Sequence, residues 1–182
     1  MIRVGTSGFS YRDWEQVFYP EGLPARDRLS FYAREFDTVE INFSYYTIPN
    51  ASTLAAMARK TPADFVFAIK ANKGMTHERE DNAEVFERFV EALSPWIRDS
   101  RLGCVLAQFP TSFHNTPANR DYLRAFRERM GPVPTVIEFR HREWVTRDVF
   151  ALLRELGLGF CCVDQPQFKA LVPPVAVATS GI

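Results

Sequence analysis

The sequence is poor in the residues that staple small secreted domains or form helical metal sites. It has three cysteines without a C-x-x-C pair and three histidines without an H-x-x-x-H pair. This excludes a disulfide framework and the commonest zinc signatures. Cys104, Cys161 and Cys162 lie in apolar, strand-like runs, and we expect all three to be buried, inert thiols. Their odd number favours a reducing compartment, and we expect a cytoplasmic protein.

The sequence also lacks an excess of either charge and any long hydrophobic run. Lys+Arg and Asp+Glu each number 22, which argues against a strongly basic nucleic-acid platform. No stretch reaches the roughly 18 apolar residues of a membrane span, and no signal peptide precedes the first strand pattern. Gly5-Thr6-Ser7-Gly8 does not fit G-x-G-x-x-G, and Walker and G-x-S-x-G motifs are missing too. These absences weigh against a nucleotide-binding Rossmann domain and a serine hydrolase.

Short apolar runs alternate with longer amphipathic segments along the chain, a pattern that predicts repeated β/α units. Ser52 is a candidate N-cap for the second helix. The predicted strands are Ile2–Thr6, Val39–Asn42, Phe65–Lys70, Leu102–Phe109, Thr135–Phe139 and Leu158–Val163. The predicted helices are Asp27–Phe36, Ala51–Lys60, Asn82–Ile97, Asn119–Met130 and Arg147–Leu156.

Nearly continuous apolar strands separated by helices indicate an α/β domain with a parallel sheet covered by helices. Residues 1–182 form one such domain, and the pattern alone leaves a doubly wound open sheet and a closed barrel as alternatives. Six β/α units fit into the chain, whereas a complete (β/α)8 barrel needs about 250 residues.

Polar or ionisable side chains stand near the end of each strand from the second to the sixth. In a parallel barrel such groups gather at one rim, where catalysis takes place. The predicted catalytic residues are Glu40, Lys70, His77 and Glu138. The predicted substrate-binding residues are Asn42, Gln108, Arg140, His141, Asp164 and two aromatic loop residues, Tyr19 and Tyr46. Each has a structural alternative, such as an ion pair between Glu138 and Arg140 on one side of the strand.

Seven short sequence motifs, taken together in their order and spacing, form a specific pattern. They are Gly5-Thr6-Ser7-Gly8-Phe9-Ser10-Tyr11, Phe18-Tyr19-Pro20, Phe36-Asp37-Thr38-Val39-Glu40-Ile41-Asn42, Phe65-Val66-Phe67-Ala68-Ile69-Lys70, Thr76-His77-Glu78, Gln108-Phe109-Pro110 and Val136-Ile137-Glu138-Phe139-Arg140-His141. From Ile2 to about Asp164 the chain resembles the DUF72 family, the YecE-like proteins.

The resemblance implies a TIM-type barrel and brings no settled activity. Family members continue through a seventh strand with a further polar motif and an eighth closing strand, whereas this chain stops as the seventh begins. We therefore expect an incomplete barrel of about six of the eight β/α units. The free edges of its first and sixth strands would favour self-association.

Three functions remain open at this point. The first is a hydrolase or isomerase that acts by acid–base chemistry on a polar, phosphorylated or sugar-like substrate. The second is a module that binds a nucleic acid or another ligand without turnover, using the loop aromatics with Lys70, Lys73, Arg79 and Arg140. The third is an inactive, truncated remnant. No cofactor or metal is predicted, although Glu, His and Asp at neighbouring strand ends leave a divalent ion as an alternative.

Overall fold

A computed structural model describes residues 2–182 and contains one sheet of six parallel strands. The strands lie in the order in which they occur along the chain. That order is the order of a TIM-type barrel, whereas doubly wound sheets reverse direction at a switch point. Residue Met1 lies outside the described part. The strands are β1 (Gly5–Ser7), β2 (Thr38–Ile41), β3 (Val66–Lys70), β4 (Leu102–Phe109), β5 (Thr135–Phe139) and β6 (Gly159–Phe160).

The central strands have nearly the predicted bounds, but the two edge strands are shorter. β1 begins at Gly5 rather than Ile2 because its ladder with β2 starts only there, opposite Thr38. β6 covers two residues instead of six. The backbone amide of Cys161 still donates to the carbonyl of Ile137 (2.8 Å), and the regular pairing stops at that point. The sequence predicted Asp164 at the end of the sixth strand. In the structure it lies in a loop after β6.

Among residues 2–182, six α-helices lie between the strands, and the long helix predicted over Asn82–Ile97 is in fact two helices. Pro95 lies in the first turn of the second of them; proline cannot donate a helical hydrogen bond and is suited to a first turn. Ser52 is not a cap, since the second helix begins after Asn50 without a side-chain cap. The helices are α1 (Arg28–Tyr32), α2 (Ala51–Ala58), α3 (Ala83–Ala92), α4 (Ser94–Arg98), α5 (Pro117–Met130) and α6 (Arg147–Glu155).

Threonines cap the two helices that follow β4 and β5. The hydroxyl of Thr116 accepts a hydrogen bond from the amide of Asn119 (3.2 Å), and that of Thr146 accepts from Val149 (3.3 Å). Each side chain satisfies one amide that the first helical turn leaves without a partner. The caps fix the points at which the loops after β4 and β5 end.

The two faces of the sheet differ sharply in composition. Alternate residues of the strands pack under the helices and form the core; they include Val39, Ile41, Phe67, Ile69, Val105, Ala107, Phe109, Ile137 and Phe139. The ring of Trp96 stacks on Phe67 with 4.2 Å between centroids, and its indole donates to the carbonyl of Leu54 (2.8 Å). Because side chains alternate along a strand, the intervening residues share the opposite face, here called the inner face.

Both ends of the sheet have a strand with a single ladder partner among residues 2–182, β1 beside β2 and β6 beside β5. The segment after β6 packs against the second of these edges. The hydroxyl of Thr179 donates to the carbonyl of Leu158 (2.7 Å), and the thiol of Cys162 lies 3.4 Å from the carbonyl oxygen of Val177. None of the helices in the described part is long and apolar enough to cross a membrane.

Candidate functional site

The strand register brings the polar side chains of the inner face into rows. Ser7, Glu40, Ala68 and Cys104 face one another across β1 to β4. Gln108 lies opposite Glu138 on β4 and β5. Glu40, Gln108 and Glu138 alternate with core residues of their strands, so these predicted groups of β2, β4 and β5 point away from the helices. The inner face therefore collects groups from strands that are far apart in sequence.

Glu138 is the most deeply buried carboxylate of this face, with 5% of its surface exposed. Its Oε1 atom accepts a hydrogen bond from the side-chain amide of Gln108 (2.8 Å) and lies 2.7 Å from Nη2 of Arg140. The other amino group of Arg140 donates to Oε1 of Gln165 (3.0 Å). A buried charge requires such partners, and the guanidinium is more than one-third exposed. The pair thus presents its cation, more than its anion, to solvent.

Glu40 is held by a different set of partners. The hydroxyl of Ser7 donates to Oε1 of Glu40 (2.8 Å) and accepts from the side-chain amide of Asn42 (2.7 Å). The Oδ1 atom of Asn42 is buried and has no hydrogen-bond partner among residues 2–182. Three polar side chains from β1, β2 and the loop after β2 therefore form a short chain that ends at a half-buried carboxylate. Ser7 stood inside the quoted sequence phrase, but its contact with Glu40 was not predicted.

Two half-buried thiols, Cys104 on β4 and Cys161 directly after β6, are influenced by these carboxylates. Burial, together with the charge of Glu40, raises the pKa of Cys104 to about 11. Burial also raises the pKa of Cys161 to about 12, with added contributions from the charges of Glu138 and Glu40. Since one thiol responds to both acids, Glu40 on β2 and Glu138 on β5 belong to one electrostatic environment. Cys162, in contrast, is exposed, which contradicts the prediction that all three thiols are buried.

A third cluster follows β3. The Nζ atom of Lys70 lies 5.5 Å from the centre of the Tyr45 ring, and the ring of His77 packs edge-on against the same tyrosine at 5.1 Å. Burial lowers the pKa of His77, and the positive charges of Lys70 and Arg79 lower it further. The imidazole is therefore neutral near pH 7. It lies in a π-helical turn over Gly74–Glu78, a distortion that is frequent at functional sites.

The loop that carries Tyr45 is fixed by side chains that no sequence pattern singled out. The hydroxyl of Ser44 donates to the carbonyl of Lys70 (2.6 Å). The amide of Asn72 donates to the carbonyls of Ser44 (3.0 Å) and Tyr45 (3.2 Å). Asn72 and Ser44 are buried, so their hydrogen bonds fix the position of the loop after β2 relative to the end of β3.

The loops after β4 and β5 bring His141 together with two residues that were not predicted, His114 and Glu143. The Nδ1 atoms of His114 and His141 lie 3.1 Å and 3.6 Å from Oε2 of Glu143. The two imidazole rings are 4.6 Å apart. The sequence signal for this cluster was the spacing His141-x-Glu143. Only the pairing of β4 with β5 adds His114 to it.

Three predicted substrate-binding residues lie apart from these groups. Tyr19 is in the core, 2% exposed, with its hydroxyl donating to the carbonyl of Phe9; burial raises its pKa to about 12. Tyr46 is 74% exposed and packs only edge-on against Tyr45 among the aromatic rings described. Asp164 lies exposed in the loop after β6. The aromatic residues near Tyr19, Trp14 and Phe18, pack against it and cover the hydrophobic core. This packing is the structural alternative to substrate binding for that cluster.

Two of the cations considered for nucleic-acid binding already have partners. The Nζ atom of Lys73 lies 2.6 Å from Oε1 of Glu78. The guanidinium of Arg79 lies over the rings of Phe113 (4.9 Å) and Tyr122 (5.8 Å) and donates to Asn119 (3.1 Å). These contacts tie neighbouring loops together and leave little free positive charge for a phosphate backbone.

A family model described as "Protein of unknown function DUF72" matches residues 3–182. The chain belongs to the DUF72 family. It is 32% identical to the UPF0759 protein YunF of Bacillus subtilis over 190 aligned positions, which include 98% of this chain and 66% of that protein. The chain thus spans slightly less than two-thirds of the length of this relative.

Two crystal structures of DUF72 family proteins have the same fold. One, from Thermotoga maritima, is 39% identical, with a TM-score of 0.89 over 99% of this chain and 71% of that chain. Another, from Enterococcus faecalis, is 26% identical, with a TM-score of 0.87 over 99% of this chain and 67% of that chain. These matches confirm the resemblance and the α/β barrel type predicted from the sequence.

Proposed function

We propose that the inner face is the active site of a hydrolase or isomerase that acts by acid–base chemistry on a polar, phosphorylated or sugar-like substrate. One observation carries the proposal. Glu40 and Glu138 stand on separate strands and are held by separate hydrogen-bond networks, yet both raise the pKa of the same half-buried thiol, Cys161. Two carboxylates in different surroundings can take different roles in one reaction.

In this proposal Glu40 is the group that exchanges a proton with the substrate. The only hydrogen bond of its carboxylate within residues 2–182 joins Oε1 to Ser7, which leaves Oε2 for a reacting group. Glu138 is almost fully enclosed, and its position fixes the guanidinium of Arg140. The two acids thus have different tasks, direct proton transfer and the orientation of a cation that faces the substrate.

Lys70 and Arg140 supply the positive charge that an anionic substrate or a developing negative charge requires. Lys70 has no ion-pair partner in the described part of the chain. His77, neutral near pH 7, is the candidate for a second proton carrier. Asn42 and Gln108 place side-chain amides beside the two acids, as the recognition of substrate hydroxyls would require.

A nucleic-acid-binding module is the weaker alternative. Lys73 and Arg79, which that function would need, are engaged by Glu78 and by aromatic rings. The acid–base chemistry itself requires no cofactor. The free state of all three cysteines fits our proposal that the protein works in the cytoplasm.

The experiment measures turnover by the purified chain on p-nitrophenyl phosphate, p-nitrophenyl glycosides and sugar phosphates in D2O. In the last case, isomerisation exchanges a carbon-bound hydrogen. We expect Glu40→Gln to lower kcat/KM by about 100-fold or more, the usual scale for a lost acid or base. Glu138→Gln should lower it as well, because Arg140 loses the charged partner that orients it. The control is Glu87→Gln on the exposed side of α3, which should keep full activity.

Circular dichroism and thermal melting separate lost chemistry from lost folding. Removing the charge of Glu138 should cost about 1–2 kcal/mol, less than a fully buried pair, because Arg140 still reaches water. Unchanged turnover in both variants would refute the proposal. Absence of turnover in the wild type, combined with salt-dependent binding of an oligonucleotide, would favour the binding module instead.

A further inference from the structure

The geometry points to a divalent metal site of the zinc class formed by His114, His141 and Glu143. Their ligand atoms all lie within 4.8 Å of one another. The site shares no residue with the proposed acid–base groups, and it stands whether or not the proposed activity does.

The observed spacing matches the requirement of a tetrahedral ion. Ligand atoms bound at about 2.0–2.1 Å in a tetrahedron lie roughly 3.4 Å apart. The distances from Oε2 of Glu143 to Nδ1 of His114 and of His141 are 3.1 Å and 3.6 Å. Two imidazoles and one carboxylate are also the donor set of catalytic zinc sites, which keep a fourth position for water or substrate.

The backbone that carries the ligands is fixed by the core. The indole of Trp144, the neighbour of Glu143, donates to the carbonyl of Phe113, the neighbour of His114 (2.5 Å). The ring of Trp144 also stacks on Phe113 (5.1 Å) and Phe139 (4.3 Å). Trp144 and Phe113 are completely buried. Ligands attached to such rigid neighbours lose little freedom when an ion binds.

Polar contacts join the two loops directly at the ligands. The side-chain amide of Asn115 donates to the backbone carbonyl of Glu143 (2.9 Å), and its backbone amide donates to Oε2 of the same residue (3.4 Å). The side chain of Asn119 holds the carbonyl of His114 (2.7 Å). In known metal sites, hydrogen bonds from neighbouring groups orient the ligands, and Asn115 and Asn119 supply such bonds here.

A metal would replace the contact between Nδ1 of His114 and Oε2 of Glu143 (3.1 Å) and one long hydrogen bond. Nδ1 of His141 accepts a long hydrogen bond from the backbone amide of Glu143 (3.3 Å), and coordination through that nitrogen releases it. The side chains of His114 and Glu143 are half exposed, at 52% and 50%. An ion can therefore enter from solvent and keep one coordination position open on the solvent side.

The test titrates the purified chain with Zn²⁺ by calorimetry and with Co²⁺ by visible spectroscopy. The protein carries Cys162→Ser, which removes the exposed thiol as a competing ligand. We expect one equivalent of Zn²⁺ to bind saturably, Co²⁺ to give the intense visible bands of a tetrahedral site, and Zn²⁺ to raise the Tm. Neither readout depends on a substrate, so failure of the proposed activity would leave the result unaffected.

Variants decide between a metal site and a simple ion pair. His114→Ala, His141→Ala and Glu143→Gln should each weaken Zn²⁺ binding more than tenfold and abolish the rise in Tm. His77→Gln removes the remaining histidine of the chain and should bind Zn²⁺ as the parent does. Equal Zn²⁺ affinity in the three ligand variants, or no saturable binding by the parent, would overturn the proposal and leave Glu143 as the partner of two histidines.

Discussion

Arg140 and Glu138 lie two residues apart in the chain, and Nη2 of the first is 2.7 Å from Oε1 of the second. The same oxygen accepts a hydrogen bond from Gln108 on the neighbouring strand. Arg140 supplies one positive charge to this site, which neutralises the one carboxylate of Glu138. This charge balance can be tested by replacing the neutral side chain of Gln108 with a second acid.

Gln108→Glu should make the protein less stable as the pH rises. Two carboxylates about 3 Å apart share a proton in the folded state, because like charges raise the pKa of the pair. In the unfolded chain both ionise above a pH of about 4.3. The folded state then holds more protons than the unfolded state, so stability falls with increasing pH. We expect near wild-type stability at pH 5 and a loss of about 1–3 kcal/mol at pH 8.

Urea unfolding at the two pH values measures this difference. Gln167→Glu, at an exposed position, serves as the matched control and should show the pH dependence of the wild type. The same pH dependence in Gln108→Glu as in this control would mean that the two side chains do not share one site.

The three thiols should react at very different rates. Burial raises the pKa of Cys104 to about 11 and that of Cys161 to about 12, so few thiolates form at pH 8 and the reactive species is scarce. Cys162 is exposed. We expect Ellman's reagent to label one thiol rapidly in the native protein and three after unfolding. Cys162→Ser should remove the rapid phase and Cys104→Ser should keep it; a rapid phase in Cys162→Ser would contradict the assignment.

Gly5→Ala should destabilise the protein strongly. A Cβ atom at this position would lie 2.1 Å from the carbonyl oxygen of Thr38 on the neighbouring strand. Backbone cannot move aside as easily as a side chain, so we expect a loss of about 1–3 kcal/mol, the usual scale of overpacking. Gly181→Ala is the control, since a methyl group there would meet no other atom within 4 Å. Thermal melting of both variants measures the effect, and equal Tm values would exclude a close approach of β1 to β2 at this point.

The free edge of β1 should promote self-association. β1 has a ladder partner on one side among residues 2–182, and Val4 just before it is 66% exposed. A lysine at such an edge opposes strand pairing between molecules. We expect the wild type to form larger species as its concentration rises and Val4→Lys to shift them toward the monomer in light scattering after size-exclusion chromatography. Val17→Lys, exposed but away from the edge, is the control. A wild type that stays a cooperatively melting monomer at all concentrations would refute this prediction.

The sequence was sufficient for the family and for the α/β barrel type. Glu138 was a candidate because an acid in an apolar run needs a partner, and the structure supplies that partner in Arg140; its catalytic role remains a proposal. The length of β6 was overestimated because the apolar run in the sequence continues to Val163. The strand ends earlier because its regular pairing with β5 stops after Phe160. Tyr19 was misplaced because an aromatic residue on a loop has the same signature whether it covers a pocket or closes the core.

Other parts of the site depend on contacts between distant segments. His114 and His141 are 27 residues apart, and no periodicity connects them. Ser7 reaches Glu40 only through the register of β1 with β2. Local patterns determine which elements form, while the ladder between neighbouring strands decides which side chains meet.

The hydrogen bond between Ser7 and Glu40 determines where a purification tag is best placed. A three-residue strand at the amino-terminal end aims the carboxylate that the proposed chemistry uses. A fusion partner or affinity tag that disturbs this strand should therefore weaken the contact between Ser7 and Glu40 and lower the proposed activity. Material for enzymatic assays is therefore best purified with its tag at the opposite terminus.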